Sequence, residues 1–270
     1  LRGKSTHNDS NLEKYAPYVF LFFGSMRRQL WHMIARLKKG ALALLHLVYP
    51  RHCLYCHWDL LHFEEVLCTH CQRELPKTFP FLVHPQLQKV FFGRCDFHAL
   101  IVGFKMEKTG MMRELLHALK YKQHPEVGVV LAQLWAKNWL RNMQQCPWDC
   151  IVPVPLHPKK MRKRGYNQAL EIAKGLSQEW QIPVVENWLV RTTQGKSQTF
   201  KNRWIRNNKL DNPFDLVSLL CPNGNRVLLI DDVVTTGATL IQCCEVLQKA
   251  QGIQISLGAL AMPVHNRIVV

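Results

Sequence analysis

From Val227 to Thr239 the chain reads Val-Leu-Leu-Ile-Asp-Asp-Val-Val-Thr-Thr-Gly-Ala-Thr, and this stretch leaves the backbone few choices. The β-branched and leucine run is a buried strand, and it delivers Asp231 and Asp232 side by side to its carboxyl end. A Thr/Gly loop then turns straight into a helix. Backbone N–H groups of such a loop, at the positive end of a helix, cradle a phosphate monoester, and threonine hydroxyls add donors. Two carboxylates just beyond the strand can accept hydrogen bonds from vicinal sugar hydroxyls. The plain alternative is an ordinary strand-to-helix turn capped by threonines. Rival nucleotide motifs fail: there is no G-x-G-x-x-G, and Gly195-Lys196-Ser197 has Val190 where a P-loop needs its first glycine.

The rest of the chain alternates strands and helices. Phe97–Phe104, Cys150–Pro155, Val184–Val190, Arg226–Asp231 and Gln254–Met262 read as strands. Lys108–Lys122, Glu126–Met143, Tyr166–Trp180 and Thr239–Ala250 read as helices. That alternation predicts an α/β fold, a mostly parallel sheet flanked by helices, with ligands at the carboxyl ends of its strands. We expect it over residues 96–270, after a Pro-punctuated linker at 76–95 (Pro76, Pro80, Pro85).

Residues 51–75 hold a second constellation. Cys53-x2-Cys56 and Cys68-x2-Cys71 are separated by eleven residues. Each C-x2-C turn presents two thiolates to one point, and two turns close a tetrahedron of soft ligands. So short a segment, poor in apolar side chains, cannot build a core alone, and metal binding would supply its folding free energy. The expectation is a small four-cysteine module around a structural zinc. Two disulfides, disfavoured in a reducing compartment, and an iron–sulfur site are the alternatives. A saturated four-thiolate site leaves no open position for catalysis. The remaining six cysteines, Cys243 and Cys244 among them, read as small buried hydrophobes.

Residues 1–50 form an N-terminal extension. From Arg27 to Val48, apolar residues recur at Leu30, Met33, Leu37, Ala41, Leu44 and Val48, with Arg27, Arg28, Arg36, Lys38 and Lys39 on the other side. This predicts a basic amphipathic helix that packs on the next unit or lies on an anionic membrane. The chain opens on Leu1, and residues 1–25 are expected to be upstream sequence. No apolar run reaches the roughly 20 residues of a spanning helix. The reading is a cytoplasmic protein, with a peripheral position at the inner membrane face left open. Thirty-five Lys and Arg against nineteen Asp and Glu give +16, a field that attracts polyanions or merely aids solubility.

The stretch from Val227 to Thr239 resembles the phosphoribosyl pyrophosphate (PRPP) signature of type I phosphoribosyltransferases. That resemblance implies a site for pyrophosphate as well. Ile151–Gln168 offers a strand, a Pro-stiffened loop and five cations within six residues (Lys159, Lys160, Arg162, Lys163, Arg164), then a helix. Fixed cations there would stabilise leaving-group charge; a nucleic-acid phosphate contact is the alternative. A second basic stretch, Arg191–Lys209, with Lys196, Lys201, Arg203 and Arg206, suits a closing loop or a nucleic-acid track with Trp204 as stacking platform.

Together, the four-cysteine module, Val152-Pro-Val-Pro-Leu-His157, Arg164-Gly-Tyr-Asn-Gln168 and the Asp231–Thr239 loop resemble the ComF family of competence proteins over about Ala35 to Pro263. That resemblance implies a zinc module on Cys53, Cys56, Cys68 and Cys71, ahead of a type I phosphoribosyltransferase-like domain, and a link to DNA uptake in natural transformation. It implies that Asp231 and Asp232 hold the ribose, that Thr235, Thr236, Gly237, Ala238 and Thr239 hold the 5-phosphate, and that Lys159, Arg162 and Arg164 lie beside the pyrophosphate, with Mg2+ accompanying PRPP. The chain departs from the family at Gln123, where glycine is frequent, and around Arg203–Lys209. Three readings stay open: a phosphoribosyltransferase (a glycosyltransferase) of unknown acceptor, a single-stranded DNA-binding component docked on a membrane-associated uptake motor, and a PRPP sensor.

Overall fold

The computed structural model describes residues 51–79, 85–144, 146–192 and 212–264. The amphipathic stretch before Arg51 and the basic residues Lys196 to Lys209 lie outside the described residues. In chain order the elements are α1 (Thr69–Glu74), α2 (Pro85–Phe91), β1 (Ala99–Met106), α3 (Met111–Tyr121), α4 (Glu126–Met143), β2 (Cys150–Pro153), α5 (Pro158–Arg164) and α6 (Gln168–Trp180). They continue with β3 (Leu189–Arg191), β4 (Phe214–Leu216), β5 (Arg226–Val233), α7 (Ala238–Leu247) and β6 (Gln254–Pro263).

Four strands make one sheet in the order β1-β6-β5-β2, and all three pairings are parallel. The α/β expectation therefore holds. Parallel pairing requires crossover connections, and successive residues of each strand face opposite layers because a strand has a two-residue period. Ala99, Ile101, Ile151, Leu228 and Ile230 pack under α3, α4 and α6. Their neighbours Leu100, Val102, Cys150, Val152, Val227 and Leu229 pack under α2 and α7. Both faces are covered, which is why the strands read as unbroken apolar runs. On the first face α4 and α6 come so close that Gly175 lies against the Val129 carbonyl, a place where any Cβ would collide. Trp135, Trp139, Trp148 and Trp180 fill the end of that layer, with ring centroids 5.2 to 6.3 Å apart.

The stretch after the cysteines runs along the outer edge of β1. Thr78 N–H donates to the Gly103 carbonyl (3.0 Å) and Lys105 N–H to that of Pro76 (2.7 Å), while the buried Thr78 hydroxyl donates to Val102. These bonds occupy an edge that would otherwise be open to pairing. Within the same stretch α2 buries Leu87 and Phe91 against the second face.

Two local expectations are corrected. The Pro-stiffened loop of five cations is a helix, α5: Pro158 sits in its first turn, His157 Nδ1 accepts from Lys159 N–H (3.1 Å), and Gly165 closes it at φ 84°. Proline is preorganised for a first turn, and left-handed backbone at the C-cap suits glycine. The strand expected over Val184–Val190 reduces to one bridge, Val184 with Ile151, followed by β3, which pairs antiparallel with β4.

Candidate ligand-binding and metal sites

The four cysteines expected to share a metal meet. The sulfurs of Cys53, Cys56, Cys68 and Cys71 all lie within 4.8 Å of one another, and Cys56 and Cys68 are 3.6 Å apart. A tetrahedron with metal–sulfur bonds of the zinc kind has edges of about 3.8 Å, so the group can hold a metal ion. Burial opposes ionisation of Cys53, but backbone donors of Cys56, Cys68 and Tyr55 outweigh it and bring the thiol down to about 7. Burial and the neighbouring sulfurs push Cys71 up.

The loop between the two C-x2-C turns is organised by a residue the sequence reading passed over. Glu64 is buried, and its carboxylate accepts from the backbone N–H groups of Leu61 (2.8 Å) and Thr69 (2.5 Å) and from the Thr69 hydroxyl (2.7 Å). Those donors hold its carboxyl below the usual range, against the cost of burial. The module does not stand apart: Cys53, Leu60, Val66, Leu67, Cys71 and Leu75 join the hydrophobic cluster of the first sheet face.

At the carboxyl end of β5, Asp231 and Asp232 sit next to each other, with Asp232 N–H donating to Asp231 Oδ1 at 2.8 Å. Burial first, and then the charge of Asp232, push Asp231 up to about 7, although the backbone bond and the ammonium groups of Lys120 and Lys160 pull the other way. Thr235 to Thr239 line a small hollow at the head of α7 together with Asp231. Gly237 makes the turn: its φ of 71° is left-handed, and an added Cβ would meet Phe91 Cζ at 2.8 Å and Val90 Cγ1 at 3.0 Å. Helix α2 thus props the loop from behind. Gly237 is the N-cap of α7 and offers no side-chain acceptor; the Thr236 hydroxyl accepts weakly from Ala238 N–H (3.5 Å), and the positive end of the helix faces the hollow.

A cavity of about 270 Å3 opens beside the acid pair, lined by Lys120, Tyr121, Gln123, Lys160, Lys163, Arg164 and Tyr166. Lys120, at the end of α3, reaches Asp232 Oδ2 at 3.0 Å and so joins cavity and carboxylates into one surface. Arg164 is held by Gln168 Oε1, which accepts from its Nη1 at 2.7 Å, and it lies 5.3 Å from the Tyr121 ring centroid. Tyr166 donates its hydroxyl to the Leu119 carbonyl, and Asn167 Nδ2 donates to that of Val154, pinning the start of α6 to α3 and to the strand end.

Of the five cations named from sequence for the pyrophosphate, Lys160, Lys163 and Arg164 line this cavity. Lys159 and Arg162 are exposed and do not line it. Helical spacing explains the division: residues 160, 163 and 164 share one face of α5, whereas 159 and 162 turn away. Lys120, near the departure at Gln123, carries no assigned role from sequence, because only the tertiary fold brings α3 to the end of β5.

The chain is 28% identical over 223 residues to "Competence protein F" of Haemophilus influenzae, covering 77% of this chain and 96% of that one. It is 31% identical over 137 residues to "DNA utilization protein YhgH" of Escherichia coli K12, covering 49% of this chain and 59% of the relative. "Competence protein ComFC" of Bacillus subtilis is 25% identical over 131 residues, with 48% of this chain and 50% of that one covered. The chain thus spans nearly all of the first relative and under two thirds of the others. No protein-family model matches. Structural likenesses are to orotate phosphoribosyltransferase from Aeropyrum pernix (TM-score 0.31, 17% identity, 57% of this chain and 66% of that one) and purine phosphoribosyltransferase from Pyrococcus horikoshii (TM-score 0.28, 20% identity, 58% and 77%). Among the described residues, no helix is long and apolar enough to cross a membrane.

Proposed function

We propose that the chain, which is similar to the ComF competence proteins, binds PRPP at the carboxyl end of β5 and serves DNA utilization in natural transformation. One observation supports the proposal: the 3.0 Å Lys120–Asp232 ion pair ties the cation-lined cavity to the carboxylate pair, and Asp231 of that pair lines the hollow at the N-terminus of α7. A sugar diol wants acceptors, a phosphate monoester wants backbone N–H groups, and a diphosphate wants fixed cations. PRPP presents these three groups on one ribose.

In this reading Asp231 and Asp232 accept from the ribose hydroxyls and Thr235 to Thr239 cradle the 5-phosphate. Lys120, Lys160, Lys163 and Arg164 hold the diphosphate, with Lys159 and Arg162 adding to the field from the far flank of α5. When PRPP arrives, Lys120 exchanges Asp232 for a diphosphate oxygen, which frees the carboxylate for the sugar. Mg2+ bound with PRPP supplies charge neutralisation, and the carboxylates are oxygen donors of the hard kind it takes. Cations fixed at the diphosphate would also favour its departure, so the same site suits transfer to an acceptor. Cys53, Cys56, Cys68 and Cys71 hold zinc, which the all-sulfur donor set and its spacing favour.

Calorimetric titration of metal-loaded protein with PRPP and Mg2+, beside the Asp231→Asn/Asp232→Asn variant, tests the proposal. Micromolar binding that weakens at least about 100-fold in the variant is expected, since each lost charged acceptor costs about 1.5–3 kcal/mol. Absence of binding to folded wild type refutes it.

A further inference from the structure

At the opposite end of the sheet from the acid pair, two cysteines face each other. Cys150 opens β2 and is buried, whereas Cys221 is partly exposed on the loop leading to β5, and their sulfurs are 3.8 Å apart. No metal-ligating third group joins them among the described residues. The loop that carries Cys221 is held in place by its neighbours: the Ser218 carbonyl accepts from Trp188 Nε1 (2.8 Å), Ser218 Oγ from Leu220 N–H (3.1 Å) and the Leu219 carbonyl from Gln251 N–H (3.0 Å). On the strand side, Asp149 receives the backbone N–H groups of Asn225 (3.1 Å) and Arg226 (2.9 Å) and the Arg226 guanidinium, so β2 and β5 are clamped at this end. Both sulfurs therefore sit on anchored backbone, 3.8 Å apart, and must close to the roughly 2 Å of a disulfide.

We propose that Cys150 and Cys221 are a thiol-modification site: a disulfide pair that low-molecular-weight disulfides such as oxidised glutathione can close. Cys221, the accessible partner, attacks one sulfur of the small disulfide as a thiolate, expels a thiolate and becomes a mixed disulfide. Cys150 then attacks the Cys221 sulfur, loses its proton and displaces the second small thiolate. The protein gives up two protons and two electrons, and one small disulfide becomes two thiols. Burial and the adjacent Cys221 push the Cys150 thiol well above its ordinary value, which assigns the first attack to Cys221. The resulting crosslink lies away from the ligand end of the strands and ties the loop before β5 to β2.

The full chain with its metal loaded is equilibrated in glutathione buffers from strongly reducing to about −180 mV, quenched by alkylation and mapped by peptide mass spectrometry. The expected result is a peptide pair joined through Cys150 and Cys221, formed before any other crosslink, with the melting temperature raised on the order of 5 °C. Cys150→Ser is expected to stop at a glutathione adduct on Cys221, and Cys221→Ser to give neither adduct nor crosslink there. The inference is overturned if both thiols stay fully alkylatable in the most oxidising buffer, or if Cys150→Ser takes no glutathione at Cys221. A Cys95–Cys244 crosslink, whose sulfurs also interact, forming ahead of this one overturns it as well.

Discussion

The cysteine module and the ligand end of the sheet are assembled in opposite ways. All four thiols of the module come from within nineteen residues, and the backbone that carries them is short and turn-rich. The acid pair, the helix N-terminus and the cation cavity draw on α3, α5, β5 and α7, brought together only when the sheet closes. One region is a set of thiols drawn from a single short stretch; the other is a surface assembled from elements far apart in sequence. A spacing motif is therefore sufficient to locate the first and only partly sufficient for the second.

That difference predicts the largest effect at the module. Removing its metal with a strong chelator, or substituting Cys53→Ser, is expected to lower the melting temperature by on the order of 10 °C, because metal binding is folding free energy for so small a unit. Metal analysis should find one zinc per chain. Since Leu60, Val66, Leu67 and Leu75 share the core of the first sheet face, the loss should extend to amide-exchange protection in α3. If α3 keeps its protection, the two regions are independent and the comparison sharpens.

Glu64 comes next. Replacing it with Gln removes a charged acceptor from three donors and is expected to cost about 2 kcal/mol in denaturant unfolding. Its pH dependence has a definite sign. The folded carboxyl lies below its ordinary 4.5, so the contribution is present above that pH and fades as pH falls through the folded value. The variant should lose that acid-side slope.

Asp231 predicts the reverse. Its folded value is raised from 3.8 to about 7, so the folded state binds the extra proton and stability falls as pH rises from about 4 to 7. Asp231→Asn should melt a few degrees higher than wild type at pH 8 and no higher at pH 4. PRPP affinity should rise with pH up to about 7 in wild type, as the carboxylate form gains, and lose that dependence in the variant. A variant that is no more stable at pH 8 would mean that the acid pair carries no strain.

Smaller effects belong to the supports. Gly237→Ala forces a Cβ into left-handed backbone and against Phe91, and should cost about 1–2 kcal/mol together with a several-fold loss of PRPP affinity. Asp149, drawn down to about 2 by the Arg226 guanidinium and by backbone donors, contributes stability that is present above about 4 and lost as pH falls towards 2. Asp149→Asn should flatten the unfolding profile in that window alone.

How much of this was legible in the sequence follows from the same contrast. Strand β5, helix α4 and the four cysteines stood out because burial on both faces, helical period and C-x2-C spacing are local patterns. Helix α5 did not, because five charges in six residues leave no apolar face to betray a helix, and its caps, His157 and Gly165, lie outside the run. The supports escaped for another reason. Phe91 behind Gly237, Glu64 under Thr69 and Lys120 against Asp232 are relations between elements, and no single window of sequence contains both partners with a reason to pair them.

The central claim is that separate elements build one phosphoribosyl site, with Lys163 and Arg164 of α5 serving the diphosphate. The direct test titrates PRPP and ribose 5-phosphate, each with Mg2+, into wild type and into the Lys163→Met/Arg164→Met variant. The account predicts that the variant loses at least about 100-fold in affinity for PRPP, from several charge-assisted bonds, while ribose 5-phosphate binds within about threefold of wild type. Equal losses for both ligands, or no loss for either, would contradict it.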